Sequence, residues 1–329
     1  MPDGNICFFA TSKSGLGHLR RSATIARCVQ ALAPARALHL ISNAPPKGLA
    51  DADLAAFSSI QVVERDLMAE ASVRTGSSVM VLDTMTARGL ESLDTPMALI
   101  LRETPADQLH RFALAKARQW DLILVANPQD HWMPDTQILG AHDMVATGWI
   151  YRPTGRRQTA PQKTPTILVA TGGGGTKATA HSLYSQIDGL LASLRASGLC
   201  FDVVQAIGPR AKGFGQLMQA DRIVDPGGAL NDMFRDTDIV ISTAGYNSVL
   251  ELATTDTPTL LVPIPRSIDD QTARARSWAH HLGMWLDADS PLTAANWLAH
   301  EITLRRRRLP VDLGPSGEER AARAILSLG

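Results

Sequence analysis

Short apolar runs alternate with helical stretches along the whole chain. The apolar runs are rich in Ile, Val and Leu without regular polar alternation, which is typical of strands covered on both faces. Repeated strand–helix–strand order predicts parallel sheets with right-handed crossovers, and therefore an α/β protein. We predict strands at residues 6–10, 37–42, 60–63, 79–83, 97–101, 122–126, 166–170, 201–205, 222–224, 239–242 and 259–262.

The helical stretches between these strands include residues 19–32, 178–195, 247–254 and 272–282, and a last helix is predicted at 316–326. The best break in the pattern lies between Trp149 and Pro165, where the chain is polar and contains several turn formers. After this break the strand–loop–helix pattern starts again with a new glycine-rich loop. We therefore predict two doubly wound domains, residues 1–150 and 151–329, with a C-terminal helix that could pack back on the first.

Composition narrows the class of protein. The 329 residues are 45% hydrophobic and 19% charged, which is enough apolar material for two cores. Lys+Arg and Asp+Glu both number 32, so no global attraction to nucleic acid is expected. The three scattered cysteines fit neither a disulfide framework nor a metal cluster. With no long apolar segment and no signal-peptide pattern, we expect a cytoplasmic protein.

The first predicted strand runs into a glycine turn that opens the first helix. Ser14, Gly15, Gly17 and Arg20 form this loop, where backbone N–H groups and the helix N-terminus could bind an acceptor or a phosphate. His18 follows the carboxyl end of the strand, where open α/β proteins bind ligands, and its imidazole suits general-base catalysis. A simple tight turn, and a histidine that only caps the helix or is exposed, are the alternatives.

Asp83 ends a later strand and could orient His18 or bind the acceptor, although it could equally cap the strand end. Arg20 stands where the dinucleotide pattern G-x-G-x-x-G requires its third glycine, which argues against a nicotinamide or flavin enzyme.

Two further strand–glycine–helix junctions follow in the second half. One contains four consecutive glycines, which are useful where the backbone wraps a phosphate-like group. The other leads into a helix on which Glu251 could accept hydrogen bonds from a ribose diol. A flexible loop and a solvated helix glutamate are the alternatives. The candidate donor-binding residues are Gly172, Gly173, Gly174, Gly175, Thr176, Gly245, Asn247, Ser248, Glu251, Asp270 and Gln271.

Two polar segments have competing interpretations. Asp270 and Gln271 could bind sugar hydroxyls, whereas ordinary helix capping would suit Asp269 well. The run of arginines at residues 305–308 could be a solvated helix end or could contact an anionic membrane surface.

In combination these motifs resemble a known family. Gly-Leu-Gly-His-Leu-Arg-Arg, which begins at Gly15, looks like the N-terminal motif of family 28 glycosyltransferases, the group of the peptidoglycan N-acetylglucosaminyltransferase. Thr-Ala-Gly-Tyr-Asn-Ser-Val-Leu-Glu, which begins at Thr243, is similar to the donor-binding segment of that group. Both motifs also resemble the nucleotide-sugar hydrolase of pseudaminic acid synthesis. The resemblance is greatest to bacterial "predicted glycosyl transferases", which share the Leu-Arg-Glu stretch at Leu101.

The resemblance implies the GT-B fold, in which two Rossmann-like domains face each other across a cleft, the first for the acceptor and the second for the donor. It implies a nucleoside-diphosphate-sugar donor, UDP-linked, a small-molecule, glycan or peptide acceptor, and no cofactor or catalytic metal. His18 falls at the position that deprotonates the acceptor, and Glu251 at the position that binds the donor ribose. Asp270 departs from the pair of glutamines that contact the donor sugar, so the identity of the sugar stays open.

Inverting sugar transfer is the function that this resemblance favours. A nucleotide-sugar hydrolase or epimerase with the same donor site is the first alternative, and a non-catalytic nucleotide-sugar-binding protein is the second.

Overall fold

A computed structural model describes residues 4–11, 15–115, 118–172, 177–208, 213, 215–287 and 289–329. The strands are β1 (Asn5–Ala10), β2 (Leu38–Ser42), β3 (Ser59–Val62), β4 (Ser77–Asp83), β5 (Met97–Leu101), β6 (Trp120–Val125), β7 (Ala141–Ala146), β8 (Thr166–Ala170), β9 (Asp202–Ala206), β10 (Arg222–Val224), β11 (Ile239–Ser242), β12 (Thr259–Leu261) and β13 (Gly283–Trp285). The α-helices are α1 (Gly17–Leu32), α2 (Asp51–Leu54), α3 (Met68–Val73), α4 (Thr136–Leu139), α5 (Lys177–Ala196), α6 (Leu230–Asp236), α7 (Tyr246–Ala253), α8 (Gln271–Leu282), α9 (Pro291–Leu304) and α10 (Glu318–Leu326). Short 3₁₀ helices lie at Arg65–Leu67, Leu90–Ser92 and Ala106–Phe112.

These elements form two compact units. The first contains Met1–Tyr151 and Gly314–Gly329, and the second contains Arg152–Leu313. The sequence-based division at residue 150 lies one residue earlier. It assigns the C-terminal segment to the second domain, with a helix that could pack back on the first, and the structure places this segment in the first unit.

The first unit is a parallel sheet in the order β3-β2-β1-β4-β5-β6-β7. The strand order reverses between β1 and β4, and this is the topological switch point at which open sheets bind ligands. Residues 6–10 of β1 are completely buried, as a central strand requires. Helix α1 packs on the sheet through residues at helical spacing, which include Leu19, Ala23, Ala26 and Val29.

The second unit repeats this design in the order β10-β9-β8-β11-β12-β13. All its strand pairs are parallel, and the order reverses between β8 and β11. Its apolar core includes Val169 and Ile241 of the sheet together with Leu191 of α5 and Leu298 of α9. The predicted α/β fold with two Rossmann-like units is confirmed.

The C-terminal segment is fixed to the first unit by its backbone. The Gly317 N–H donates to the Trp149 carbonyl at 2.7 Å, and Ser316 exchanges hydrogen bonds with Tyr151. A Cβ on Gly317 would lie 2.5 Å from the Thr147 carbonyl oxygen, so only glycine permits this close approach. Helix α10 then packs against α1, and its alanine-rich face is buried.

Two strands were not predicted from the sequence. β7 exposes His142 and Asp143 at the edge of its sheet, so it lacks the continuous apolar run by which the other strands were predicted. β13 has only three residues and is also at an edge. Short or polar edge strands carry a weak sequence signal because little of their surface enters the core.

The interpretation of the arginine run after α9 as a solvated helix end requires correction, whereas contact with a membrane surface stays a prediction. Arg305 pairs with Asp238 at 3.1 Å, Arg307 pairs with Asp256, and Arg308 donates to carbonyl groups at the end of α7. Burial, the largest cause, and the nearby Arg307 lower the pKa of Arg308 to about 10, although Asp256 opposes them. These three guanidinium groups hold the second unit together and do not form a solvated basic end.

Among the described residues, no helix has the length and apolar content needed to cross a bilayer.

Candidate active site

A histidine–aspartate pair lies at the switch point of the first unit. His18 is the second residue of α1, directly after the glycine turn that leaves β1, and Asp83 is the last residue of the adjacent β4. The His18 Nδ1 atom lies 2.7 Å from Asp83 Oδ1. Asp83 is fully buried, whereas 26% of the His18 side chain is exposed, so the imidazole can meet a substrate while its partner remains sheltered.

Arg21, one turn along α1 from His18, completes this arrangement. Its Nε donates to Asp83 Oδ2 at 2.9 Å, and its Nη2 donates to Asp83 Oδ1 and to the Thr84 hydroxyl. The guanidinium is as buried as the carboxylate that it binds. Sequence reasoning selected Arg20 and missed Arg21, although the i, i+3 spacing from His18 places both side chains on one helix face.

The charge state of Asp83 follows from these contacts. Burial by itself would raise the pKa of Asp83, but the Arg21 guanidinium and His18 outweigh it and lower the pKa to about 2. The carboxylate is therefore ionised and can only accept hydrogen bonds. The proton between the two groups must reside on His18 Nδ1, which leaves Nε2 as the nitrogen that can accept a proton from a substrate.

The backbone next to Asp83 is strained. Thr84 has φ +47°, in the left-handed region that β-branched residues rarely adopt. Its N–H and hydroxyl both donate to the Ile100 carbonyl, and its hydroxyl also accepts from Arg21. Strain of about 1–3 kcal/mol is characteristic of residues at functional sites, where the surroundings hold it in place.

We expect Asp83 to make the stability of the first unit depend on pH. Because its pKa is lowered in the folded state, the ionised carboxylate stabilises the fold above about pH 4, and this contribution is lost as the pH falls toward 2. The shift corresponds to about 2–3 kcal/mol of unfolding free energy. Urea unfolding of the wild type and Asp83→Asn at about pH 7, 4 and 3 should show the wild-type advantage shrinking below pH 4. A difference that stays constant over this range would contradict the assignment.

In the second unit, the loops at the carboxyl ends of β8 and β11 are joined by hydrogen bonds. The Ser242 hydroxyl donates to the Ala170 carbonyl at 3.1 Å, and the Thr243 hydroxyl donates to the Thr171 carbonyl. This pairing fixes the start of the turn before α7 beside Ala170 and Thr171, the residues that precede the glycine-rich segment. The two predicted donor loops therefore leave the sheet side by side at its switch point.

The turn before α7 contains a glycine that its own backbone does not require. Gly245 caps the helix at φ −67°, an angle open to any residue, and an added Cβ would meet only the Ser248 hydroxyl at 3.9 Å. A glycine in this position leaves room for a ligand at the positive end of the helix. Asn247 and Ser248 are half-buried on the first turn, and Glu251 is buried one turn later.

The residue that caps the N-terminus of α8 is not Asp269, which the sequence suggested as a good cap. Asp270 caps the helix, with its carboxylate accepting from the Ala273 N–H, and Asp269 instead pairs with the buried Arg274 at 2.7 Å. The Gln271 amide accepts from the Ile264 N–H and donates to Asp269. Asp270 and Gln271 thus organise this loop, and their contact with a donor sugar stays a prediction.

Several predicted site residues lie outside the described part of the chain, namely Ser14, Gly173, Gly174, Gly175 and Thr176. Of their neighbours, Gly15, Gly17 and Arg20 lie at the start of α1 beside His18, and Gly172 lies two residues after the end of β8 with φ +60°. Within the parts of the chain that the structure describes, no three histidine, cysteine, aspartate or glutamate side chains gather in a way that could hold a metal ion.

Part of the chain resembles known glycosyltransferases in sequence. Residues 166–306 match the glycosyltransferase family 28 C-terminal domain, and both predicted donor loops lie within this range. A 65-residue stretch is 43% identical to the UDP-N-acetylglucosamine--N-acetylmuramyl-(pentapeptide) pyrophosphoryl-undecaprenol N-acetylglucosamine transferase of Rhodospirillum rubrum. The match covers 20% of this chain and 17% of that relative, so the chain spans about a sixth of the curated protein's length.

Solved structures resemble the chain over nearly its whole length. The spinosyn rhamnosyltransferase SpnG complexed with thymidine diphosphate has a TM-score of 0.60 at 15% identity, with 98% of this chain and 95% of that chain covered. MurG of Acinetobacter baumannii has a TM-score of 0.52 at 14% identity, with 98% and 99% covered. Identities this low establish the fold alone.

The two Rossmann-like units have the GT-B fold, which the solved glycosyltransferase structures share. Residues 166–306 of the chain, within the second unit, resemble the C-terminal domain of family 28 glycosyltransferases.

Proposed function

We propose that this protein transfers a sugar from a UDP-linked donor to a hydroxyl group of an acceptor, with inversion at the anomeric carbon. The observation that carries the proposal is the 2.7 Å contact between His18 Nδ1 and the buried Asp83 carboxylate at the switch point of the first unit. A buried carboxylate that fixes the imidazole tautomer leaves Nε2 as a positioned base. The UDP-linked donor in the name of the curated relative, and the thymidine diphosphate in the SpnG structure, support a nucleotide-sugar donor.

The proposed reaction is a single displacement. The acceptor hydroxyl transfers its proton to His18 Nε2 as its oxygen attacks the anomeric carbon from the face opposite the diphosphate. The bond from the anomeric carbon to the diphosphate oxygen breaks, and the nucleoside diphosphate leaves with that electron pair. Asp83 stabilises the imidazolium that forms, and amides at the start of α7 would stabilise the charge on the leaving group.

The test is a panel of UDP-, TDP- and GDP-sugars incubated with the full chain, with release of nucleoside diphosphate measured with and without acceptor alcohols. Release that depends on an acceptor and gives a product of inverted configuration supports the proposal. Rapid release without any acceptor would identify a hydrolase instead. Binding of a donor without turnover would identify a nucleotide-sugar-binding protein.

Glu251 gives a direct test of the donor site. We expect Glu251→Gln to weaken UDP binding about 10- to 100-fold, because a charge-assisted hydrogen bond to the ribose is worth about 1.5–3 kcal/mol. Calorimetry with UDP alone measures the effect, since the ribose is part of that ligand. Glu301→Gln, on α9, is the matched control and should bind UDP like the wild type. Unchanged affinity in Glu251→Gln would remove this residue from the ribose site.

A further inference from the structure

A buried arginine joins two of the predicted donor segments of the second unit. Arg274 lies on the first turn of α8, and only 5% of its side chain is exposed. Its Nη1 atom, which carries two N–H groups, donates to the Ala244 carbonyl at 3.0 Å and to Asp269 Oδ1 at 2.7 Å. Ala244 directly precedes Gly245, the cap of α7, and Asp269 directly precedes Asp270, the cap of α8. One guanidinium group therefore holds the starts of both helices.

The position of this guanidinium is itself fixed by several contacts. Asp269 Oδ2 accepts from the Gln271 amide at 3.3 Å, and that amide accepts from the Ile264 N–H in the segment after β12. The Arg274 guanidinium also lies over the Tyr246 ring, with its carbon atom 6.0 Å from the ring centroid. Because an ion pair and an aromatic ring both hold the side chain, Arg274 can fix the direction of a group that it binds.

The contact with Ala244 determines the direction of the next N–H group. The Ala244 carbonyl and the Gly245 N–H belong to one planar trans peptide, in which the C=O and N–H bonds point in opposite directions. Since the carbonyl points toward Arg274, the Gly245 N–H points away from it. Within the described part of the chain, this N–H donates to no other group. It therefore remains available to an anionic ligand at the start of α7, beside the switch point of the sheet.

We propose that Arg274 is a positioning residue of the donor site, which aims the Gly245 N–H at the diphosphate of the nucleotide sugar. The inference rests on the proposed glycosyl transfer, and it specifies how the leaving group of the donor is held. Arg274 does not touch the donor, because its guanidinium is buried and its Nη1 binds the carbonyl and the carboxylate. It fixes the peptide plane before the donor binds, so the N–H needs no reorientation when charge develops on the diphosphate.

A purely structural ion pair is the alternative role for Arg274. Loss of such a pair lowers stability and weakens all ligands of the unit alike, whereas loss of the fixed peptide selectively weakens a ligand that carries phosphates. Uridine and UDP share the base and the ribose and differ in the diphosphate. The ratio of the UDP affinity to the uridine affinity therefore reports on contacts to the diphosphate, and it separates the two roles.

The experiment measures binding of UDP and of uridine to the full chain by NMR titration, and urea unfolding gives the stability of each variant. We expect Arg274→Met to lower the ratio of UDP affinity to uridine affinity about 10- to 100-fold, because the N–H no longer points at a charged group. Uridine affinity should stay close to that of the wild type. Arg274→Lys should recover part of the ratio, since an ammonium group can donate to both the carbonyl and the carboxylate.

Arg157→Met is the matched control in the same unit. Arg157 pairs with the buried Asp238 at 2.7 Å, the same distance as in the pair of Arg274, and 11% of its side chain is exposed. Asp238 precedes β11, whereas Ala244 follows that strand, so the control pair lies at the opposite edge of the sheet. Arg157→Met should lower the unfolding free energy and leave the ratio of UDP to uridine affinity unchanged.

Two variants of Gly245 give an independent readout. Proline and alanine both add a Cβ at this position, which would meet only the Ser248 hydroxyl at 3.9 Å. Proline suits the φ of −67° and also removes the N–H, whereas alanine keeps it. We expect the ratio of UDP to uridine affinity in Gly245→Pro to be at least about tenfold below that in Gly245→Ala.

An Arg274→Met variant that keeps the wild-type ratio, or that loses affinity for UDP and uridine equally, overturns the positioning role. A wild type that binds UDP no more tightly than uridine overturns it as well. Equal ratios in the two Gly245 variants have the same consequence, and this comparison holds even where Arg274→Met is unfolded. None of these measurements involves turnover. Failure of every nucleotide sugar to react would instead overturn the proposed transfer.

Discussion

Replacing His18 with alanine is expected to lower the turnover number about 10²- to 10⁴-fold while donor affinity changes by no more than a few-fold. A positioned general base contributes a rate factor of this size, because it removes the proton as the nucleophile attacks. The imidazole is the partly exposed member of the His18–Asp83 pair, so its loss should leave the buried carboxylate and its Arg21 contact in place. Turnover at saturating donor and calorimetric donor affinity measure the two quantities separately.

Two further variants sharpen this test. His18→Gln keeps a hydrogen-bond donor for Asp83 but has no basic nitrogen, so it should be as slow as the alanine variant. His300→Ala removes a histidine that also lies near a carboxylate, Glu301, and should retain full activity. Near-normal turnover in His18→Ala would remove His18 as the base. A selective loss of donor binding would make it a ligand of the diphosphate instead.

The sequence predicts the strands and turns that carry this site well, because the positions of these elements depend on which residues are buried. Central strands such as β1 and β5 are continuous apolar runs, and the glycine turns after β1 and β11 interrupt them at recognisable points. Parallel strands bring their carboxyl ends to one edge, which is why His18 and Asp83 could be considered together before the pairing of β1 with β4 was known.

The parts that the sequence did not predict depend on contacts distant in the chain. In the sequence alone, Arg21 cannot be distinguished from a solvent-exposed arginine on a helix, because its partner at the end of β4 is distant in the chain. The arginine run after α9 is likewise indistinguishable from a solvated basic end, because its partners are carbonyl groups and aspartates far away in sequence. The cap of α8 was placed one residue early, since adjacent aspartates offer the same carboxylate and only the backbone angles select Asp270.

The second large effect is expected at Arg21, which we assign as a positioning residue. Arg21→Met should lower the unfolding free energy by about 3–5 kcal/mol, because it leaves the Asp83 carboxylate buried without its cation. Urea unfolding measures this loss. Arg323→Met, on α10, is the matched control, since its guanidinium pairs with Glu319 at 2.7 Å and both side chains are more than half exposed. Exposed pairs contribute about 0–1 kcal/mol, so the control should remain close to the wild type.

The double variant Arg21→Met/Asp83→Leu separates positioning from stability. Replacing both members of a buried ion pair with apolar side chains is often neutral or stabilising, so we expect most of the lost unfolding free energy to return. Turnover should stay as low as in His18→Ala, because the imidazole then lacks the carboxylate that fixes its tautomer and stabilises its positive charge. The unfolding free energy of Arg21→Lys should lie between those of the wild type and Arg21→Met. An ammonium group keeps the positive charge but lacks the planar guanidinium that binds both Asp83 oxygens. Activity that recovers together with stability in the double variant would show that Arg21 and Asp83 only support the fold, and the proposed role of the His18–Asp83 pair would then be wrong.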